Sequence, residues 1–160
     1  MTTPTPDARH PVAQALRVLL DETFDEVKGI FLDKNTSLFE TLAGISAQEA
    51  SIPVGGKCAT LAAQVKHVGF YLDVVYNSAR DPDYPRADWD HIWNTVSAVT
   101  PDEWQEIKDE LRASYNSILR LIDETPSWDD PYVVGGAIGL VAHTAYHLGE
   151  IRQALCTLKP

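Results

Sequence analysis

Apolar side chains recur at helical spacing in four long segments of the chain. Steps of three and four residues place side chains on one face of an α-helix, and they occur in segments 10–33, 60–79, 100–123 and 134–155. No stretch shows the convincing apolar–polar alternation of a half-buried β-strand. The pattern predicts an all-α fold, a four-helix bundle with long connections, in which residues 1–160 form a single domain.

The first predicted helix, residues 10–33, carries one apolar stripe. Its members are Val12, Leu16, Leu19, Thr23, Val27 and Ile30. Glu22 and Glu26 fall on other faces of this helix, so we expect both carboxylates to be solvated. A less regular connection follows at residues 35–57, where we expect one or two helical turns before a loop rich in Pro and Gly.

The second and third predicted helices have recognisable N-terminal signals. Thr60 is expected to cap the second helix, which is apolar on two sides and should therefore be buried between neighbours. Its second apolar cluster consists of Ala63, His67, Phe70, Tyr71 and Val74. Thr100, Pro101 and Glu103 form a capping box with proline at the first helical position, which marks the start of the third helix.

Two histidines of the fourth predicted helix have a spacing that suits a metal ion. His143 and His147 are four positions apart, so both imidazoles lie on one face and can reach the same ion. Gly136 and Ala154 share that face and would leave room for an ion or a ligand. A third ligand normally completes a catalytic metal centre, and His67 is the best candidate because it lies inside an apolar cluster. The sequence thus predicts one divalent metal on three histidines.

The remaining candidates have simpler interpretations. His10 is expected near the start of the first helix, and His91 at the surface beside Trp89 and Trp93, which we expect to pack within the connection 80–99. Glu150 shares the face of the two helix-four histidines. It could orient a ligand, act as a catalytic base, bind the metal, or be solvated or ion-paired. The three clustered histidines themselves could also be hydrogen-bonded core residues, because short motifs arise by chance.

Composition and missing motifs narrow the function classes. The chain has 13 basic and 23 acidic residues, a formal net charge of -10, and no basic cluster, which disfavours nucleic acid and anionic membranes as partners. Cys58 and Cys156 are too few for a disulfide scaffold, and no apolar run is long enough to span a membrane. No signal peptide is recognisable at the N-terminus, so we expect a cytoplasmic protein. The motifs of di-iron bundles, zincins, serine hydrolases and P-loop enzymes are absent.

Three stretches of the sequence resemble the DinB-like (DinB/YfiT-like) metalloenzyme superfamily. They read SLFETLAG at 37–44, TLAAQVKHV at 60–68 and AHTAYHLGEIRQAL at 142–155. Together with the order of the four helices, the similarity extends over nearly the whole chain. The single histidine of the second helix combined with the two of the fourth is more specific than any one stretch.

The resemblance implies a metal site and a set of possible reactions. One divalent metal, commonly zinc or nickel, would be bound by His67, His143 and His147, with water in the open positions. Similar proteins include transferases and isomerases that use low-molecular-weight thiols, and some are assigned as hydrolases. We therefore expect a small-molecule substrate, which enters under the connections 35–57 or 80–99, and a homodimer. A non-catalytic metal-binding or interaction bundle is the alternative.

Overall fold

The structure is a computed structural model that describes residues 10–56 and 58–158. Within these ranges the regular structure is helical and no β-strand is formed, which confirms the predicted all-α class. The α-helices are α1 (Pro11–Phe24), α2 (Leu38–Ala43), α3 (Ala47–Ala50), α4 (Leu61–Arg80), α5 (His91–Thr95), α6 (Pro101–Glu124) and α7 (Pro131–Leu158). A short 3₁₀ turn, Val54–Gly56, precedes α4. The predicted single domain extends at both ends beyond the described residues.

Helices α4 and α6 run in the same direction and pack closely. Lys66 pairs with Glu110, and Arg80 pairs with Glu124 at the ends of both helices. Both pairs join residues 44 positions apart, which requires parallel helices. Because α4 and α6 are parallel, the chain between them must run back along the full length of the helices. Residues 81–100 form this connection.

The other two long helices run opposite to this pair. Arg17 in the middle of α1 pairs with Asp123 near the end of α6, and Asp25 just after α1 pairs with Arg112 in the middle of α6, so α1 and α6 are antiparallel. Helix α7 contacts α4 and α1 and is antiparallel to α4, because Tyr71 of α4 stacks on His143 and His67 lies beside His147. The link between α6 and α7 is short, as antiparallel neighbours allow.

The predicted apolar stripes and N-terminal caps of α4 and α6 are observed. Buried stripe residues are Leu61, Val65, Val68 and Leu72 of α4, and Trp104, Ile107, Leu111, Tyr115, Ile118 and Ile122 of α6. Thr60 caps α4 by accepting a hydrogen bond from the Ala63 N–H. Thr100 and Glu103 form the predicted capping box of α6. Each fully buried aliphatic or aromatic side chain of these stripes contributes about 1.5–3 kcal/mol to folding.

The first helix differs from the prediction in length and in its polar residues. Helix α1 ends at Phe24, nine residues before the predicted end at 33, and Gly29 adopts a left-handed φ of 80° that no helix continues through. Glu22, expected to be solvated, is fully buried. Its carboxylate accepts hydrogen bonds from the backbone N–H groups of residues 30–32. The stripe therefore stops early, and Ile30 is exposed.

Helix α7 is long and carries no formal charge over most of its length. It spans 28 residues and begins three residues before the predicted start at 134. Between Asp130 and Glu150 no Asp, Glu, Lys or Arg occurs, and the Asp130 carboxylate accepts the Tyr132 N–H at the first turn. None of the helices in the described residues is both long enough and apolar enough to cross a membrane.

Candidate metal centre

The antiparallel packing of α4 and α7 brings together all three histidines that the sequence predicts as ligands. One nitrogen from each of His67, His143 and His147 lies within 4.8 Å of the corresponding nitrogens of the other two. The ring centroids are 4.6 to 5.6 Å apart. His67 and His147 are buried, at 7% and 6% exposure, and His143 is half-buried. The three imidazoles are close enough to bind one metal ion.

Each imidazole of the cluster presents a buried nitrogen that has no hydrogen-bond partner. The three atoms are Nδ1 of His67, Nε2 of His143 and Nδ1 of His147. Buried polar atoms in folded proteins are nearly always bonded, and an unsatisfied one costs about 1–3 kcal/mol. Three such atoms in one cluster are unfavourable without a shared partner. A divalent cation fits, because neutral imidazole nitrogen is a common ligand for it.

Burial keeps the three imidazoles in the neutral form that can bind a metal. Burial, reinforced by the neighbouring His147 and His143, lowers the pKa of His67 from 6.5 to about 4. Burial also lowers the pKa of His143 and of His147, and the Glu150 carboxylate opposes the shift in both. A protonated imidazole cannot coordinate a cation, so the lowered pKa values favour metal binding at neutral pH.

Glu150 lies beside the cluster, as its position on α7 predicts. Its Oε2 is 2.9 Å from His147 Nδ1, although the two atoms are not aligned as a hydrogen bond and Nδ1 remains unpartnered. Its Oε1 accepts a hydrogen bond of 2.6 Å from the Tyr146 hydroxyl, and this bond raises the pKa of Tyr146. Tyr146 is not among the site residues predicted from the sequence; the signal that could have indicated it is its spacing of four residues from Glu150 on one helix.

Aromatic rings surround the histidines on the side of α4 and α5. Tyr71 stacks on His143 with centroids 3.8 Å apart, and Trp93 stacks on His67 at 4.6 Å. Trp89 meets His67 edge-on at 6.3 Å. Trp89 and Trp93 thus pack against the cluster and remain about 40% exposed. The connection 81–100 therefore covers this part of the centre. It is one of the two connections that the sequence predicts to cover the site.

The other sequence candidates lie away from the histidine cluster. His91 is exposed on α5, and the His10 Nδ1 accepts the Val12 N–H at the start of α1, as expected for both. Gly136, expected to leave room for an ion or a ligand, lines an apolar cavity whose wall includes none of the three histidines. Cys58 and Cys156 are free and exposed.

The fold and the site define an all-helical protein with a buried three-histidine cluster that can hold a metal ion. No family model matches the chain, and neither a curated protein nor a solved structure matches it.

Proposed function

We propose that this protein is a DinB-like metal-dependent enzyme whose four long helices form a four-helix bundle. Four pairs among these helices are in contact, α1 with α6 and α7, and α4 with α6 and α7. The proposed ligands are His67, His143 and His147, and the proposed ion is zinc or nickel, both of which accept imidazole nitrogen. The observation that carries the proposal is that one nitrogen from each of the three imidazoles lies within 4.8 Å of those of the other two.

The reaction that we favour is the transfer of a low-molecular-weight thiol to an electrophilic small molecule. A bound divalent ion would lower the pKa of a thiol or a water molecule and make a nucleophile available near neutral pH. Glu150 is the proposed proton acceptor, since one of its oxygens is close to His147 and the other is held by the Tyr146 hydroxyl. Trp89 and Trp93 would limit the access of water from the side of α5.

Two alternatives use the same cluster. Metal-assisted hydrolysis would require the same ligands and the same carboxylate, with water in place of the thiol. A non-catalytic metal site would stabilise the fold and leave no position for an exogenous ligand.

The accompanying proposals are a cytoplasmic location, no nucleic-acid or membrane partner, and a homodimer. The exposed, uncharged side chains Tyr132 and Ile138 of α7 support association through that helix.

Cobalt(II) substitution tests the proposed function through the spectrum of the metal. The protein is loaded with one equivalent of cobalt(II) and titrated with 2-mercaptoethanol, glutathione and cysteine. We expect a saturable thiolate-to-cobalt charge-transfer band in the near ultraviolet. The matched control is His143→Ala, in which the band should be lost. His91→Ala, which changes an exposed histidine, should keep the band.

The outcomes separate the alternatives. A cobalt spectrum that no thiol changes, although azide or acetate changes it, would contradict thiol transfer and favour hydrolysis. A spectrum that no exogenous ligand changes, together with unfolding when the metal is removed, would indicate a structural site. Failure to bind cobalt, zinc or nickel would contradict all three interpretations and leave the histidines as core residues.

A further inference from the structure

A groove lies between α7 and the loop that follows α1. Its volume is about 430 Å³, within the range of about 300–1,000 Å³ that small-molecule sites occupy. Arg152 of α7 lines it, and Arg152 follows His143 by nine residues, which is about two and a half turns of helix. The two side chains therefore leave α7 on opposite faces. A molecule in the groove would not contact a metal ion bound by the histidines.

A buried carboxylate fixes the loop that forms one wall of the groove. Glu22 is fully buried and accepts hydrogen bonds from the backbone N–H groups of residues 30–32. Two side chains of this loop, Phe31 and Leu32, line the groove. The Phe31 ring nevertheless remains 43% exposed, so the buried charge holds in place an apolar ring that the core does not cover. A ligand with an apolar part would remove this ring from water, which favours binding.

The Arg152 guanidinium in this groove has free hydrogen-bond donors. Its Nη1 donates to the Thr41 hydroxyl at 3.2 Å. Three other arginines pair with carboxylates, whereas Arg152 pairs with none among the described residues. Its Nε and Nη2 have no acceptor there either and, unlike the unpartnered histidine nitrogens, they are not buried. A guanidinium presents its N–H donors in a plane that matches a carboxylate, so a ligand carboxylate can bind here.

The groove contains one negative charge as well. Of the described residues that line it, only Asp33 and Arg152 carry a formal charge. They do not pair with each other, and Asp33 pairs with no other cation in the described part of the chain. An anion would be repelled by the Asp33 carboxylate, and a cation by the guanidinium. A molecule that carries both charges would be attracted by each.

We propose that this groove binds a zwitterionic small molecule, an α-amino acid with an apolar side chain. Arg152 holds the carboxylate, Asp33 holds the ammonium group, and the apolar side chain packs against Phe31 and Leu32. The space admits about 10–15 non-hydrogen atoms, if each fills roughly the 30 Å³ of a water molecule in the liquid, which suits an amino acid of the size of phenylalanine. The site does not depend on a metal ion or on the proposed enzymatic activity.

The two cysteines provide a direct test of occupancy on the full-length protein. Both are free and exposed, but Cys156 lines the groove and Cys58 does not. The protein is alkylated with iodoacetamide at increasing phenylalanine concentrations, and mass spectrometry follows each cysteine separately. We expect phenylalanine to slow the alkylation of Cys156 in a saturable manner, by at least about 3-fold, because a covered thiol reacts less readily. The rate at Cys58 should not change.

Two related probes separate the contributions of the two charges. 2-Phenylethylamine lacks the carboxylate and should bind at least about 10-fold more weakly than phenylalanine, because it loses the charged hydrogen bonds to the guanidinium. 3-Phenylpropionate lacks the ammonium group. It should bind about 2- to 5-fold more weakly, since an ion pair with the exposed Asp33 carboxylate contributes less.

Substitutions of the protein test the same contacts from the other side. Arg152→Gln should weaken phenylalanine binding at least about 10-fold, whereas Arg120→Gln, at an exposed arginine outside the groove, should leave it unchanged. Asp33→Asn should abolish the preference for phenylalanine over 3-phenylpropionate. Thr41→Val removes the hydrogen bond of the guanidinium within the chain and should keep binding. If Arg152→Gln does not fold, Arg152→Lys serves instead, because it keeps the charge and loses the planar donors.

Three results would overturn the proposal. One is the absence of any protection of Cys156 up to the solubility limit of phenylalanine. Another is equal protection of Cys156 and Cys58, which would show that the effect does not arise in the groove. The third is equal affinity for the three probes, or equal weakening in Arg152→Gln and Arg120→Gln, which would show that the guanidinium does not hold the carboxylate.

Discussion

The buried Glu22 carboxylate and the buried histidine cluster differ in how their polar atoms are hydrogen-bonded. The Glu22 carboxylate is fully buried and accepts hydrogen bonds of 2.7 to 3.0 Å from three consecutive backbone N–H groups. The cluster of His67, His143 and His147 is also largely buried, yet each ring has a nitrogen without a partner. One cluster is complete within the chain, and the other is not.

The difference distinguishes a structural group from a binding group. Burial alone would raise the pKa of Glu22, but the backbone N–H donors of residues 30–32 outweigh it and hold the pKa below its usual value. The carboxylate therefore stays charged and fixes the loop after α1. The imidazoles stay neutral and have lone pairs to offer. The three imidazoles are close enough together to bind one metal ion.

The largest effect should follow the loss of one metal ligand. His67→Phe keeps an aromatic ring beside Trp93 but has no nitrogen. Structural zinc sites with four ligands bind with about 10–16 kcal/mol, so one ligand accounts for roughly 3 kcal/mol, or more than about 100-fold in affinity. Competition with a chromophoric chelator measures the loss. His91→Phe is the control, and an equal loss there would contradict the assignment of His67.

Glu22→Ala should destabilise the fold and leave metal affinity unchanged. The substitution leaves three backbone N–H groups without their charged acceptor, and we expect a loss of about 2–3 kcal/mol in the free energy of unfolding. Urea denaturation measures it. Glu26→Ala is the matched control, because that exposed carboxylate only pairs with Lys28 and should change stability by less than about 1 kcal/mol. Equal effects of the two substitutions would show that burial of Glu22 is unimportant.

Removal of the Glu150 charge should have a smaller effect on the metal site. Glu150→Gln keeps the shape of the side chain but weakens its electrostatic support of His147, so zinc affinity should fall about 10- to 100-fold. Tyr146→Phe removes only the hydrogen bond to Glu150 and should cost less than about 10-fold. Isothermal titration with zinc compares the two variants. A larger loss in Tyr146→Phe would reverse the assigned roles of the two residues.

The metal-free protein should lose stability as the pH falls. The pKa of His67 is about 4 in the folded protein and 6.5 in the reference state, so only the unfolded chain gains this proton as the pH falls through that interval. Stability should therefore be constant above pH 6.5 and decrease below it, by up to about 1.4 kcal/mol per pH unit for one histidine. Urea midpoints at pH 7, 6 and 5 measure the slope. His67→Phe should make the slope shallower, while His143 and His147, whose pKa values are also lowered, maintain the remainder, and an unchanged slope would contradict the burial effect.

Local spacing made the histidine cluster and the helix starts predictable. Two histidines one turn apart define a face from sequence alone, and the caps at Thr60 and Thr100 involve residues within one turn. His67 could be selected as the third ligand because its neighbours in the second predicted helix are apolar. Its closeness to α7 could not be predicted, because it depends on the antiparallel packing of α4 and α7.

The features that sequence could not supply depend on irregular backbone or on distant contacts. The sequence gives no reason to distinguish Glu22 from Glu26. The Glu22 carboxylate accepts hydrogen bonds from backbone N–H groups 8 to 10 residues later, and backbone N–H groups do not reveal themselves through the identity of the amino acid. The early end of α1 is due to the same loop. It could not be predicted, because the apolar period of the sequence continues past Phe24. The stacking of Trp93 on His67 joins residues that only the return connection 81–100 brings together.

Elemental analysis of metal content tests the claim that the three histidines bind one metal ion. Native protein is purified without chelator or affinity metal, beside the double variant His143→Ala/His147→Ala and the control Glu22→Gln. The three-histidine site predicts close to one zinc or nickel per chain in the native protein and in the control, and almost none in the double variant. Native protein that contains no metal and takes up neither zinc nor nickel would contradict the claim.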